Sequence, residues 1–212
     1  MPNLPISQLP SSSALTGPEL FAIVQDGVTK QTTLDDITYA PGNNYGLFAQ
    51  TANSTIITGT TAESSLINGG VGTLSVPANG FQIGDSFRAD LAGVLNTANN
   101  QTIRLKVKTG AVILLDSGIQ SITGAANDVW GLSINFTIRT LGAAGVASIV
   151  SLGAFHYTKT VNAVVEGFSF NTVNNTTFNT TINNTLDVTI QWGSTNAGNS
   201  IYSDIFVLNK IY

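Results

Sequence analysis

The chain reads as all-β: a C-terminal jelly-roll β-sandwich preceded by a short extended segment that carries one hairpin. Three observations predict this. Apolar and polar residues alternate with a period of two in several stretches, Gly, Asn and Ser clusters separate those stretches, and no convincing amphipathic helix occurs. Some eight strands with turns between them fold most readily into two packed sheets.

Taken in order, residues 1–41 stand apart. Pro2, Pro5, Pro10, Pro18 and Pro41 lie here, five of the chain's 6 prolines. Proline lacks an N–H and fixes φ, so most of this segment cannot supply central strands. Leu20 to Lys30 reads as a hairpin: Phe21, Ile23 and Gln25 lead into Asp26-Gly27, a tight-turn dipeptide, and Val28 to Thr33 returns. A helical turn from Thr33 to Ile37 puts Leu34 and Ile37 on one side. The segment is too small to hold a core alone. Either it docks on another protein, through Leu20, Phe21, Ile23, Val24, Asp26, Gly27, Leu34 and Ile37, or it straps its own β-domain. Residues 42–48, which follow Pro41 and open Gly-Asn-Asn, read as a linker.

Residues 49–212 form the β-domain. Its clearest strand runs from Trp130 to Ile138, where Trp130, Leu132, Ile134, Phe136 and Ile138 alternate with small or polar residues. Ile103, Leu105 and Val107 alternate with Arg104, Lys106 and Lys108; Leu186, Val188, Ile190 and Trp192 repeat the pattern. Further strands are expected at Tyr45 to Thr58, Asp85 to Ala92, Val112 to Asp116, Val146 to Tyr157 and Ile201 to Ile211. In the last of these Tyr202, Phe206 and Tyr212 share one parity, opposite to Ile201, Ile205, Val207 and Ile211. Both faces of that strand therefore read as buried, either inside one molecule or against a second copy. Asn171 to Thr185 is dominated by Asn and Thr, with Val173, Phe178 and Ile182 as its apolar residues. It reads as a long exposed loop or as a tip touching carbohydrate or protein.

Only 9% of residues are charged, against a usual ~25%. A monomer needs charge for solubility; an obligate oligomer hides much of its surface against its own copies. The net charge of −4 and the lack of a Lys/Arg cluster argue against nucleic acid. No apolar run reaches the ~20 residues of a membrane helix, so no membrane insertion is expected. MPNLPISQLP lacks the features of a secretory signal. With 0 cysteines, disulfides and thiolate metal sites are excluded, which fits synthesis in a reducing cytoplasm.

Catalytic groups are scarce. The 1 histidine, His156, would have to serve any His-based chemistry, and it lies in a strand between Phe155 and Tyr157. A glycosidase needs only two close carboxylates, but none of Glu63, Asp85, Asp90, Asp116, Asp128, Glu166, Asp187 and Asp204 pairs by sequence pattern. Asn127-Asp128 offers calcium-type oxygens without the spacing of a calcium loop. No phosphate-loop Lys follows Asn68 to Gly72. No enzyme activity and no cofactor are expected.

The stretch Leu9 to Ile37 resembles a segment at the N-termini of phage fibre and other virion proteins. The matching elements are Leu9-Pro10, Thr16-Gly17-Pro18-Glu19-Leu20, Phe21 to Val24, Gln25-Asp26-Gly27, Thr29-Lys30 and Leu34 to Ile37. Gly72-Thr73-Leu74, Val76 to Asn79, Gly84 to Arg88, Gly93, the Gly142 to Gly145 turn and the closing strand from Ile201 are similar to C-terminal jelly-roll domains of phage structural proteins. Those domains resemble the trimeric tumour-necrosis-factor and C1q type. The resemblance implies a virion protein made in the host cytoplasm: a head fibre or decoration protein that docks on capsid or tail through its N-terminus. It also implies a homotrimeric β-domain, with Tyr157, Tyr202, Phe206 and Tyr212 as candidate trimer-interface residues and a host-surface glycan or protein as a further partner. The alternatives are a tail fibre or receptor-binding protein and, behind both, a polysaccharide depolymerase.

Overall fold

The structure, a computed structural model, describes residues 20–33 and 45–212. The chain divides into two units, residues 1–43 and 44–212. In the first, β1 (Leu20–Gln25) pairs antiparallel with β2 (Val28–Thr33). Asp26 and Gly27 join them with φ of 56° and 74°. Positive φ at both central residues is the turn whose twist matches that of a hairpin, and Asp-Gly is suited to it. Leu34 and Ile37, expected on a helical turn, lie outside the described residues.

The second unit contains β3 (Tyr45–Ala49), β4 (Ile57–Thr58), β5 (Ser64–Ser65), β6 (Val71–Gly72), β7 (Ser75–Val76), β8 (Ser86–Thr97), β9 (Gln101–Thr109) and β10 (Val112–Asp116). It continues with β11 (Gln120–Ile122), β12 (Ala125–Thr140), β13 (Ser148–Thr158), β14 (Val165–Asn174), β15 (Asn184–Trp192) and β16 (Ser200–Lys210). The expected linker 42–48 is corrected from Tyr45 onward, because those residues are in β3 and pair with β16.

The strands form two antiparallel sheets. The smaller has the order β10-β9-β15-β5, with β11 on β9 and β7 on β15. The larger has the order β14-β13-β12-β8-β16-β3-β6, with β4 on β16. The pairs β3/β16, β5/β15, β8/β12 and β9/β10 nest inside one another. First pairs with last, second with seventh, third with sixth and fourth with fifth: a jelly roll. The β13–β14 hairpin falls outside that nesting and widens the larger sheet along β12.

The core lies between the sheets. Trp130, Leu132, Ile134, Phe136 and Ile138 are all buried, as their alternation predicts, and Ile103, Leu105, Val107, Val188, Ile190 and Trp192 meet them from the smaller sheet. Rings of Phe81, Phe87, Phe136 and Phe178 pack at one end, and Trp130, Phe155, Phe168 and Phe170 form a second row of contacts. Burying rings of this size stabilises the fold by about 2 kcal/mol or more each.

β16 departs from simple alternation. Ile201 and Ser203 face inward, the register on β8 shifts between Ser203 and Ile205, and Phe206 and Leu208 then face inward. A β-bulge at Asp204 adds one residue and reverses the parity. The Tyr202 carbonyl at this bulge accepts the indole N–H of buried Trp130 at 3.1 Å. Gly93 lies alongside: a Cβ there would sit 2.0 Å from that same oxygen. The bulge therefore needs a glycine on the neighbouring strand.

Candidate functional site

The registers place the outward side chains of the larger sheet in rows. One row is Val165, Thr158, Val129, Val94 and Tyr202; the next is Gly167, His156, Gly131, Ala92 and Ile205. Below these come Ser169, Ala154, Ser133, Asp90 and Val207, then Asn171, Leu152, Asn135, Arg88 and Asn209. Val129, Ile205 and Leu152 are 62%, 56% and 51% exposed. Arg88 and Asp90 neutralise each other at 2.7 Å. The imidazole of His156 lies over Gly131, where a Cβ would come within 2.5 Å of its Cε1. The result is a broad face of mixed character with little net charge: aliphatic and small side chains dominate the first two rows, and Asn171, Asn135, Arg88 and Asn209 make the last largely polar. Five strands at ~4.8 Å spacing and about four rows make it roughly 24 Å by 25 Å, about 600 Å² in projection, three quarters of the ~800 Å² that one partner contributes to a stable interface.

The outer face of the smaller sheet is the opposite in character. β9 carries Arg104, Lys106 and Lys108, and these meet carboxylates. Arg104 grips Asp116 at 2.5 Å; Lys106 and Lys108 converge on Glu63 at 2.5 and 2.8 Å. The Lys106 and Lys108 ammonium groups, helped by the Thr189 hydroxyl, hold the Glu63 carboxyl at a pKa of about 2 against an ordinary 4.5. Arg104 likewise lowers the Asp116 carboxyl. Because the folded pKa is depressed, the unfolded chain binds more protons between these values, and this stability is lost as pH falls through that window. The melting temperature is therefore expected to hold from pH 7 to about 5 and to fall between about 4.5 and 2. Glu63→Gln should flatten that fall and lower stability at pH 7; thermal denaturation across the pH series checks both.

The structure disperses the expected interface aromatics. Tyr157 and Phe206 are 2% and 1% exposed within a single chain, so neither presents a surface, and this corrects their place among the candidates. Tyr157 faces inward because β13 alternates without a break, and Phe206 does so because of the bulge. Tyr202 is half-buried on the outer face. Tyr212 is exposed beyond β16, with its ring edge near Gly84. Exposed Val129 and Leu152 on this face are absent from the sequence candidates, whereas Ile205 belongs to the apolar set opposed to Tyr202 in parity and is exposed as well.

In the hairpin, Leu20, Ala22 and Val24 project on one side, and Phe21, Ile23 and Val28 on the other. Leu20, Val24 and Val28 are more than half exposed, and Phe21 and Ile23 are half-buried. An isolated two-stranded hairpin is marginal in water, and this one carries apolar side chains on both faces. Asp26 and Gly27 form its tip, and Lys30 lies 3.7 Å from the Asp26 carboxylate.

The Asn/Thr-rich stretch is neither a loose loop nor a bare tip. Asn174 Oδ1 accepts hydrogen bonds from the backbone N–H groups of Thr176, Thr177 and Phe178, and its Nδ2 donates to Ile113 O at 2.7 Å. Phe178 enters the core, Thr180 bonds to Gly142, and Asn184 closes the turn onto the carbonyls of Asn179 and Ile182. The amides replace backbone partners that an irregular segment lacks.

Seven of the eight acids weighed above are held by neighbours within the fold, and the eighth, Asp204, is exposed at the β16 bulge. Asp85 pairs with Lys210 at 2.7 Å, Glu166 with Lys159, and Asp187 accepts from Ser65 Oγ at 2.6 Å. Asp128 accepts from Thr160 Oγ1 and Ala126 N–H, which lowers its pKa and builds the bulge where β12 leaves β8. Among the described residues no three His, Asp or Glu side chains gather as a metal site. No family model and no curated protein matches the chain.

Proposed function

We propose that the chain is a non-enzymatic structural protein of a tailed-phage particle, a head fibre or decoration protein. In this reading residues 1–41 dock on the capsid or tail, and the jelly roll self-associates as a homotrimer through the outer face of its larger sheet. One observation carries the reading: each of the two units, taken by itself, presents exposed aliphatic side chains. The hairpin has apolar side chains on both faces, and the sandwich has one outer face with exposed Val129, Leu152 and Ile205 and little net charge, opposite a charged one. The resemblance of Leu9 to Ile37 to virion docking segments supplies the kind of partner for the first surface. The second suits a further copy, because a protein with 9% charged residues gains from hiding apolar area symmetrically. The acids favour a structural role too, since a carboxyl held near pKa 2 by ammonium groups is a poor proton donor at neutral pH.

The test removes residues 1–41 and follows incorporation into particles. The expected result is a truncated protein that still self-associates but is absent from purified particles. Incorporation at the full-length level would overturn the docking role, and labelling particles with an antibody to the β-domain would separate head from tail placement.

A further inference from the structure

The β13–β14 hairpin extends the larger sheet, and β10 of the smaller sheet lies against β14 at its Asn174 end, where Asn174 Nδ2 donates to Ile113 O. The inward side chains of β14 are consequently covered unevenly. Phe170 is buried, but Phe168 and Glu166 remain half-buried. Beside them a cavity of about 300 Å³ opens, lined by Ser121, Tyr157, Glu166, Gly167 and Phe168. That volume is at the low end for ligand pockets and suits a single ring, not a peptide or an extended chain.

The chemistry of the wall is specific. Glu166 takes the Lys159 ammonium on Oε1, and the Thr123 and Tyr157 hydroxyls on Oε2 at 2.7 and 3.0 Å. Thr123 N–H in turn donates to the Tyr157 hydroxyl oxygen at 2.9 Å. The carboxylate is thus fixed in place, and its charge is already matched by Lys159. It retains acceptor capacity, because a carboxylate has about four lone-pair sites and three donors reach it. Ser121 adds an exposed hydroxyl. Phe168 adds an aromatic wall held against Phe155 and Phe170 at 5.2 and 5.8 Å between ring centres. A free cation finds the negative charge spent, and an anion meets the carboxylate. A neutral ligand with one apolar face and several hydroxyls meets a partner at each wall.

We propose that this cleft binds one neutral pyranose unit of a glycan, its apolar face on Phe168 and its hydroxyls on Glu166 and Ser121. The site belongs to a single chain and rests neither on the virion reading nor on self-association. With few contacts to make, a single ring is expected to bind at about millimolar affinity.

The experiment is a titration of the ¹⁵N-labelled full chain with methyl glucoside, methyl galactoside and N-acetylglucosamine, each to about 50 mM, followed by amide shifts. Glucosamine and sialic acid serve as charged comparisons. The expected result is a saturable shift at Ser121, Gly167 and Phe168 with at least one neutral sugar. Ser121→Trp, which fills the cleft from an exposed position, should weaken it by about tenfold or more. Should that variant fail to fold, Glu166→Gln keeps the shape, removes the charged acceptor and is expected to weaken binding about tenfold. No saturable shift with any neutral sugar overturns the proposal. So do shifts that survive in the folded variant, or a charged sugar that binds more tightly than every neutral one.

Discussion

Gly93→Ala is expected to lower the stability of the β-domain by about 3 kcal/mol or more, roughly 6–12 °C in melting temperature for a domain of this size. An alanine Cβ would lie 2.0 Å from Tyr202 O and 2.8 Å from Ser203 Cα, both backbone atoms that no rotamer change can move. Relief requires β16 to withdraw from β8, and that breaks the bond from the Trp130 indole to the Tyr202 carbonyl. Trp130 is fully buried, so the indole N–H would be left without a partner in an apolar interior. Trp130→Phe separates the two effects. It removes the donor but leaves room at Gly93, so its cost should be the smaller. Thermal denaturation of both variants checks the order; a Gly93→Ala protein that melts with the wild type would mean that β16 is not held as described.

The same bulge explains where sequence reading succeeds and where it stops. From Trp130 to Ile138 the strand is unbroken and one face is core, so a period of two translates directly into burial. β16 begins with the same clarity at Ile201, but one extra residue at Asp204 exchanges the faces. Tyr202 and Phe206, alike in parity, then end on opposite sides of the sheet, and no alternation rule can anticipate that. β14 escaped notice because only Phe168 and Phe170 mark its inward face and Gly167 and Ser169 dilute the pattern. β4 to β7 are too short to carry a period at all. Asn171 to Thr185 has the composition of a loop, yet Asn174 and Asn184 build it into a cap over the core through bonds invisible to composition. The larger sheet's outer face was legible only as a shortage of charge. Its location depends on which strands are neighbours, and that information is in the pairing of distant segments.

If the β-domain self-associates as proposed, Ile205→Lys and Val129→Lys are each expected to convert it to monomer while leaving it folded. Both residues are more than half exposed in the single chain, so little core packing is lost, and a surface change of this kind usually shifts stability by about 0.5 kcal/mol or less. Within the chain both positions have aliphatic cross-strand neighbours, Val94 beside Val129 and Ala92 beside Ile205, so in the proposed assembly a partner copy would close over an apolar patch. An ammonium group there either loses its water or holds the copies apart. The expected weakening is about 100-fold or more in the association constant, and symmetry applies it once per copy. Gln191→Lys, on the charged outer face of the smaller sheet beside β9, is the matched control and should leave assembly unchanged. Sedimentation velocity measures the mass of all three variants, and circular dichroism with thermal melting establishes that they fold. Variants that sediment as heavily as the wild type would show that the larger sheet's outer face is not the contact. A wild-type protein that is itself a monomer would remove the self-association reading but leave the fold and the glycan cleft untouched, because both are properties of one chain.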